Sequence, residues 1–445
     1  MPEVKDTIDH WVARFDADER ARRGSSTDWF APTRRTAVAH LGEWGFPATR
    51  DEQWRFTNVA PIAATPFTSA DVADVRPKQV APFQLGEGEA HTLVFVNGRH
   101  APALSSVGSL PKGVRVAGLA AAMTEHRAIV EAHLAQYVTL ENSAFTALNT
   151  AMFHDGAFVH VPRGCVLETP IHLLFVATGG DRATATHPRN LIVIESNAQA
   201  SVVESYVALA DGAYFTNPVT EIVAGDNAIV RHYKVERESA QAYHIAAQQL
   251  QQLRTSSVTS HNVSIGGAIV RNDVNTRLDG EGAHCTLYGL STIHGAQHVD
   301  NHLIVDHAQP HCDSREFYKG VYDDRSRGVF SGRIIVREGA QKTDAKQTNQ
   351  TLLLSRDAQV DSKPQLEIFA DDVKCTHGAT IGQVSEDAVF YLRSRGVSAD
   401  AARNLLVYAF AREIVATIRL DSLRATLDAL LFHRLPQEAG LMEVA

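Results

Sequence analysis

Apolar residues recur along this chain in two rhythms, and the change from one to the other divides it. Near the start, Ile8, Trp11, Val12 and Phe15 fall at i, i+3, i+4 and i+7, the stripe of an amphipathic helix that Gly24 can close. Ala37, Val38, Leu41 and Trp44 repeat that spacing, and Gly45 followed by Pro47 ends the second helix. HTLVFVNGRH reads as a strand running into an Asn97-Gly98 turn. Helical spacing returns at Leu119, Met123, Ile129, Val130, Leu134 and Tyr137, then at Phe145, Leu148 and Met152. Residues 1–150 are therefore expected to form an N-terminal region of mixed α and β structure.

From Gly156 the period drops from 3.6 to 2. AFVHVP, IHLLFVAT, NLIVIES, ASVVESYVAL, AIVRHYKVE, SVTSHNVSIG, GRIIVRE and QLEIFADD all read as short strands. Small turn pairs separate them, among them Asn197-Ala198, Asn227-Ala228, Gly267-Ala268, Gly282-Ala283, Gly339-Ala340 and Asp357-Ala358; their irregular spacing reads as a degenerate repeat at best. Polar residues alternate where a sandwich would want apolar ones, which favours a parallel β-helix, with a jelly roll or barrel as the alternative. Thr343, Ala345, Gln347 and Asn349 share one face; that face either stacks rung on rung or points to water. Residues 151–396 are expected to be this β-helix core. After Arg395-Gly396, Ser398 is a candidate N-cap, and Ala402, Leu406, Phe410, Ile414 and Ile418 form an i+4 ladder flanked by Leu405. Leu423, Leu427, Leu430 and Leu431 supply another helix. Residues 397–445 thus form a helical region that either packs on the core or docks on a partner. The expected class is mainly β: a β-solenoid between an N-terminal α/β region and C-terminal helices.

Composition narrows what such a chain does. Forty-two Lys plus Arg stand against 51 Asp plus Glu in 445 residues, a net charge of −9 that leaves no basic excess for nucleic acid. Four scattered cysteines, Cys165, Cys285, Cys312 and Cys375, suit a reducing compartment better than a disulfide framework. The first residues carry acids throughout and do not read as a secretion signal, and no apolar run approaches the ~20 residues a membrane helix needs. A cytoplasmic protein with no membrane partner is expected.

No phosphate loop, dinucleotide fingerprint, zinc-protease motif or nucleophile elbow occurs in the sequence. Two stretches remain capable of holding metal. The first contains His294, His298, His302, His307, His311 and Cys312. His298 and His302 share a strand face, but at ~3.3 Å per residue they stand ~13 Å apart, too far to hold one ion together. The second is Lys374-Cys375-Thr376-His377-Gly378, where Cys375 and His377 fall at i and i+2 on one strand face, ~6.5 Å apart. Thiolate and imidazole form a soft pair suited to iron. Two ligands do not complete a four-coordinate site, so the pair is either inert and buried or half of a site that another chain completes.

Residues 298–396, read as HVDNHLIVDHAQPHCDSREFYKGVYDD, RGVFSGRIIVREGAQKTDAKQTNQTLLLS, AQVDSKPQLEIFADDVKCTHGATIGQ and AVFYLRSRG, resemble the core of the SufB/SufD family of iron-sulfur cluster assembly scaffolds. ALNTAMFHDGAFVHVPRG at 147–164 and, more weakly, DEQWRFTN at 51–58 extend the likeness. DVKCTHGATIGQ and VFYLRSRG are closer to the SufD type than to SufB. The resemblance implies a right-handed parallel β-helix and a non-enzymatic scaffold in complex with a SufB-like paralogue and a SufC-like ATPase. It implies that the ATPase docks on the C-terminal helices, through Leu405, Leu406, Phe410, Ile414 and Leu427. It also places His377, with Cys375 beside it, at the SufB interface where the nascent cluster forms. His377 is then the metal position, shared with the partner. No cofactor is held stably by this chain alone, only transient iron or an iron-sulfur cluster in the complex. Without SufB, the exposed flank can pair with a second copy of the chain. Two other functions compete: a β-helix enzyme on a polymer, using Asp313, Glu316 and Asp323, and a histidine-rich metal-binding protein using the 294–311 stretch.

Overall fold

The computed structural model describes residues 4–434 apart from 23, 87, 141 and 142, so residues 435–445 of the expected C-terminal region lie outside the described residues. From Ala157 onward the chain lays down strands that alternate between two sheets, so that hydrogen-bonded neighbours in each sheet are mostly two strands apart in sequence. Asp313–Tyr322, for instance, lies parallel between His284–Ile293 and Asp344–Leu353. One coil consumes from 26 residues, where Tyr243 pairs with Ile269, to 33, where Phe158 pairs with Leu191. The expected parallel β-solenoid is present.

The turns hold this register. Asn197, Asn227, Thr255, Gly282, His311 and Lys342 all have positive φ and recur every 27–31 residues at one corner of the coil. Each donates its backbone N–H to the next coil, as Asn197 does to the Asp226 carbonyl (2.8 Å) and Lys342 to the Asp372 carbonyl (2.7 Å). The residue that follows in the first five is small and buried: Ala198, Ala228, Ser256, Ala283 and Cys312. The repeat is therefore regular, and the irregular spacing expected above is corrected. Gly267-Ala268, Gly339-Ala340 and Asp357-Ala358 fall elsewhere on the coil, and mixing them with the first series hid the period.

Between the sheets runs a core of Val, Leu, Ile and Ala, including Val202, Val230, Val258, Leu287, Leu303 and Ile334. It is interrupted by columns of polar side chains. Thr343, Ala345, Gln347 and Asn349 all point into it, each under 5 % exposed, which settles the open question about that face in favour of stacking. Buried polar atoms need partners. Glu204 accepts hydrogen bonds from the Tyr206 hydroxyl (2.7 Å) and the Thr220 hydroxyl (3.1 Å), and lies 3.0 Å from His232 Nε2.

Each sheet has one outer face under helices. On the twelve-stranded sheet sit Val4–Arg22, Ala31–Trp44 and Ala144–Met152, whose Trp11, Phe15, Leu41 and Phe145 pack with Phe215 and Ile245 of the sheet. On the ten-stranded sheet sit Ala399–Val415 and Asp421–Arg434, with Val407, Ile414, Leu423 and Leu427 against Val203, Val235, Val263 and Leu290. The N-terminal region also closes one end of the solenoid. Its strand His91–Val96 pairs parallel with Ile171–Ala177, after which Asn97 and Gly98 (φ 49° and 75°) turn the chain back. Ser398 caps its helix as expected, its hydroxyl accepting from the Ala401 N–H.

Tight stacking of one rung on the next leaves no room at certain glycines. A Cβ on Gly289 would lie 2.0 Å from Tyr318 Cδ1, on a buried ring in the next rung. Gly289→Ala is expected to lower unfolding stability by about 1–3 kcal/mol through overpacking. Chemical denaturation of the two chains side by side checks this, with Gly339→Ala, which meets no neighbour, as the control.

Candidate functional site

The solenoid ends on two strands, Gln359–Ile368 in one sheet and Lys374–Gly382 in the other, and each is the last member of its sheet. Lys374–Gly382 pairs only with Asp344–Leu353, with Cys375 opposite Ala345 and His377 opposite Gln347. Ala345 and Gln347 are buried and inward-facing, so Cys375 and His377 continue two interior columns onto the final rung. Among the described residues no further coil covers them there. Cys375 is half-buried against the central core, and His377 is exposed. A strand in this position carries an unpaired edge of backbone N–H and C=O groups. Large apolar side chains are exposed on the last coil and just after it: Ile368, Phe369 and Ile381, and Phe390 and Tyr391 on the following helix Glu386–Arg393, are all at least 40 % exposed.

Burial raises the Cys375 thiol above its ordinary value, the Ala345 backbone N–H opposes that, and Asp344 adds to the rise. In the chain by itself the sulfur is therefore held as the thiol, a weaker ligand and nucleophile than the thiolate. Among the described residues no group of three or more His, Cys, Asp or Glu is placed to hold a metal ion.

The other sequence candidates separate. His298 lies 2.9 Å from the Thr57 hydroxyl, His302 is 3.8 Å from Asp273, and His307 is 2.9 Å from the Ser314 hydroxyl inside the solenoid. Burial pushes both His302 and His307 down to about 4, leaving neutral rings, that of His307 held by Ser314. His311 is a turn residue and Cys312 is buried under the Gly280 carbonyl. Asp313 pairs with His284 at one end of its strand and Asp323 follows the other end, about 30 Å away at the strand rise. Glu316 is buried between them. Paired carboxylates for sugar chemistry stand about 5–9.5 Å apart, and these three do not converge.

The five apolar positions expected to dock an ATPase also separate. Leu405 is exposed, and Leu406 and Phe410 are half-buried. Ile414 and Leu427 are instead buried against the chain's own ten-stranded sheet, because the helix turns its Val407, Ala411 and Ile414 stripe inward. Lys319 fastens that helix: its buried ammonium pairs with Glu413, donates to the Phe410 carbonyl (3.2 Å) and lies 4.0 Å above the Phe410 ring. On the other sheet, Arg271 stacks 3.8 Å over Trp54 while bonding the Gln53 carbonyl and Asp300, which fastens the segment 51–58 to the solenoid.

Residues 175–410 match the SufBD core domain of the SUF system for FeS cluster assembly, and residues 6–173 match the SufBD protein N-terminal region. The chain belongs to the SufBD family. An iron-sulfur cluster assembly SufBD family protein of Synechocystis is 35 % identical over 418 residues, 92 % of each chain. The iron-sulfur cluster assembly protein SufD of Escherichia coli is 30 % identical over 439 residues, 98 % of each chain, and SufD of Bacillus subtilis is 27 % identical over 385 residues. A chloroplastic Arabidopsis protein, ABCI7, is 31 % identical over 387 residues. This SufBD-family chain has no helix among its described residues long and apolar enough to cross a membrane.

Beneath His377 lies a polar pair whose importance the sequence pattern did not disclose. Gln347 Nε2 donates to Glu316 Oε2 at 2.6 Å, and both residues are buried. Burial pushes the Glu316 carboxyl up to about 7, against the Gln347 hydrogen bond, from an ordinary value of 4.5. A carboxyl raised in the folded state costs nothing while protonated in both states, below about pH 4.5, and its full cost is present above about pH 7. Glu316→Gln should therefore gain stability relative to the parent chain by about 1–3 kcal/mol on going from about pH 5 to about pH 8. Denaturant midpoints at both pH values test this; a difference that does not change with pH would refute the buried-carboxyl assignment.

Proposed function

We propose that this SufBD-family chain is the SufD-type scaffold subunit of a SUF assembly complex. It pairs with a SufB-like paralogue across the open end of the solenoid and is itself not an enzyme. The observation that carries this reading is the terminal rung: a half-buried thiol and an exposed imidazole on the last strand of its sheet, on a coil that also exposes Ile368, Phe369 and Ile381. Such an edge gains backbone hydrogen bonds and buries Ile381, Phe369, Phe390 and Tyr391 when another sheet edge meets it. His377 then supplies one ligand or orienting group to nascent iron or iron-sulfur cargo, and the paralogue supplies the rest. Cys375 stands beside it as an auxiliary thiol.

A SufC-like ATPase takes the exposed side of the C-terminal helices, around Leu405, with Leu406 and Phe410 at its margin. Ile414 and Leu427 hold the helices to the solenoid and so transmit the ATPase's movement to the scaffold. Nucleotide-driven movement of the two scaffold arms opens or closes their shared site. The chain keeps no cofactor of its own in this scheme, and a cytoplasmic site of action goes with it. In the absence of a paralogue the same edge serves a homodimer.

Co-expression with the SufB- and SufC-like partners, followed by anaerobic purification, provides the test. His377→Ala is expected to lower cluster yield by at least about tenfold while the three chains still purify together. Full yield from the variant complex would remove His377 from the site, and failure to co-purify with the parent chain would remove the scaffold reading.

A further inference from the structure

The inward column that ends in His377 can be followed rung by rung through the ten-stranded sheet: His232, Ser260, Leu287, Glu316, Gln347, His377. Its last three members are polar and stand directly over one another, one rung apart, a spacing of about 4.8 Å. The step from Glu316 to Gln347 is already bridged by a 2.6 Å hydrogen bond from the amide nitrogen. That bond commits Gln347 Nε2 downward. Its carbonyl oxygen, Oε1, is buried and has no hydrogen-bond partner among the described residues. An amide oxygen left bare inside a protein is destabilising, so this atom calls for a donor. The rung above it holds a ring nitrogen that can donate.

Space for the amide is built in from the opposite sheet. A Cβ on Gly332 would lie 2.1 Å from Gln347 Nε2 and 3.0 Å from Oε1, so only glycine there admits the Gln347 head group. Glu316 in turn is fixed within the core and keeps its own Oε1 unpartnered. The stem is thus rooted in the solenoid, while the residue it carries is at the surface.

From this stacking we infer that Gln347 and Glu316 are positioning residues for His377: Gln347 Oε1 accepts the protonated ring nitrogen of His377, fixing one tautomer and turning the bare nitrogen out of the open end toward the cargo. Neither residue touches the cargo. Histidines that bind metal ordinarily have their second nitrogen held in this way, and loss of the holding group costs about 10–100-fold in affinity or activity. The inference rests on the scaffold reading above for its purpose, but not for the hydrogen bond it proposes.

The full-length chain, isotopically labelled at the histidine nitrogens, provides the test by NMR, with His377→Ala identifying the His377 signals. The parent chain is expected to hold His377 in one tautomer, and Gln347→Met to release it into the mixture of tautomers seen for a free imidazole. In the complex with the SufB- and SufC-like partners, Gln347→Met is expected to lower cluster yield about tenfold. The double exchange Glu316→Gln with Gln347→Glu restores a donor below and an acceptor above, and should restore both the single tautomer and the yield. A tautomer mixture in the parent chain, or identical His377 signals in parent and Gln347→Met chains, overturns the inference; the first reading needs no variant to fold. If His377→Ala leaves yield intact while Gln347→Met still changes the ring signals, the scaffold site fails and the stem stands.

Discussion

Parallel backbone pairing from one coil to the next is the interaction on which the rest of this molecule depends. Each strand satisfies its N–H and C=O groups only by meeting the strand a full coil away, so every coil is both template and product of its neighbours. Such an arrangement has no natural stopping point. At the N-terminal end the chain supplies one, by adding His91–Val96 and wrapping helices over the rim. At the other end the described residues supply none: Lys374–Gly382 is followed by the helix Glu386–Arg393, whose Phe390 and Tyr391 are exposed. The candidate site lies where the ladder is left open.

That geometry accounts for the unusual mixture inside the solenoid. A purely apolar interior would stack well but would bring only grease to the last rung. The polar columns, at the cost of burying Glu204, Glu236, Glu238 and Glu316, carry hydrogen-bonding groups through the core. Burial raises Glu236 and Glu238, and depresses Lys234, so the core holds these ionisable groups under tension with their ordinary states. Hydrophobic burial in the surrounding columns and the two helical layers offsets that cost. Among the described residues the helical layers lie on the outer faces of the sheets.

Much of this was legible beforehand. The switch from a period of 3.6 to one of 2, the Asn97-Gly98 turn, the Ser398 cap and the stripe through Trp11 and Phe15 are local signals, and local signals survive folding. The coil length was obscured because turn residues of different chemistry, Asn, Thr, Gly, His and Lys, occupy one equivalent corner, and what they share is a positive φ rather than a side chain. Ile414 and Leu427 were assigned to a partner because an amphipathic stripe states only that something covers it, and here the covering surface belongs to the same chain. Cys375 and His377 stand out by their i, i+2 spacing, but spacing alone leaves them either inert or half of a site, and only the family resemblance gives them a role. Gln347 and Glu316 were not connected to them, since residues 30 and 61 positions before His377 become neighbours only through the register of the ladder.

The central claim is that the last rung is an edge awaiting a second sheet, and amide hydrogen exchange reads it most directly. In the chain alone, the amides of residues 374–382 that lack a ladder partner should exchange as freely as those of a surface loop. In the complex with the SufB-like paralogue the same amides should become protected, together with those around Phe390. Unchanged exchange at residues 374–382 on complex formation, with protection gained elsewhere on the surface, would contradict the account.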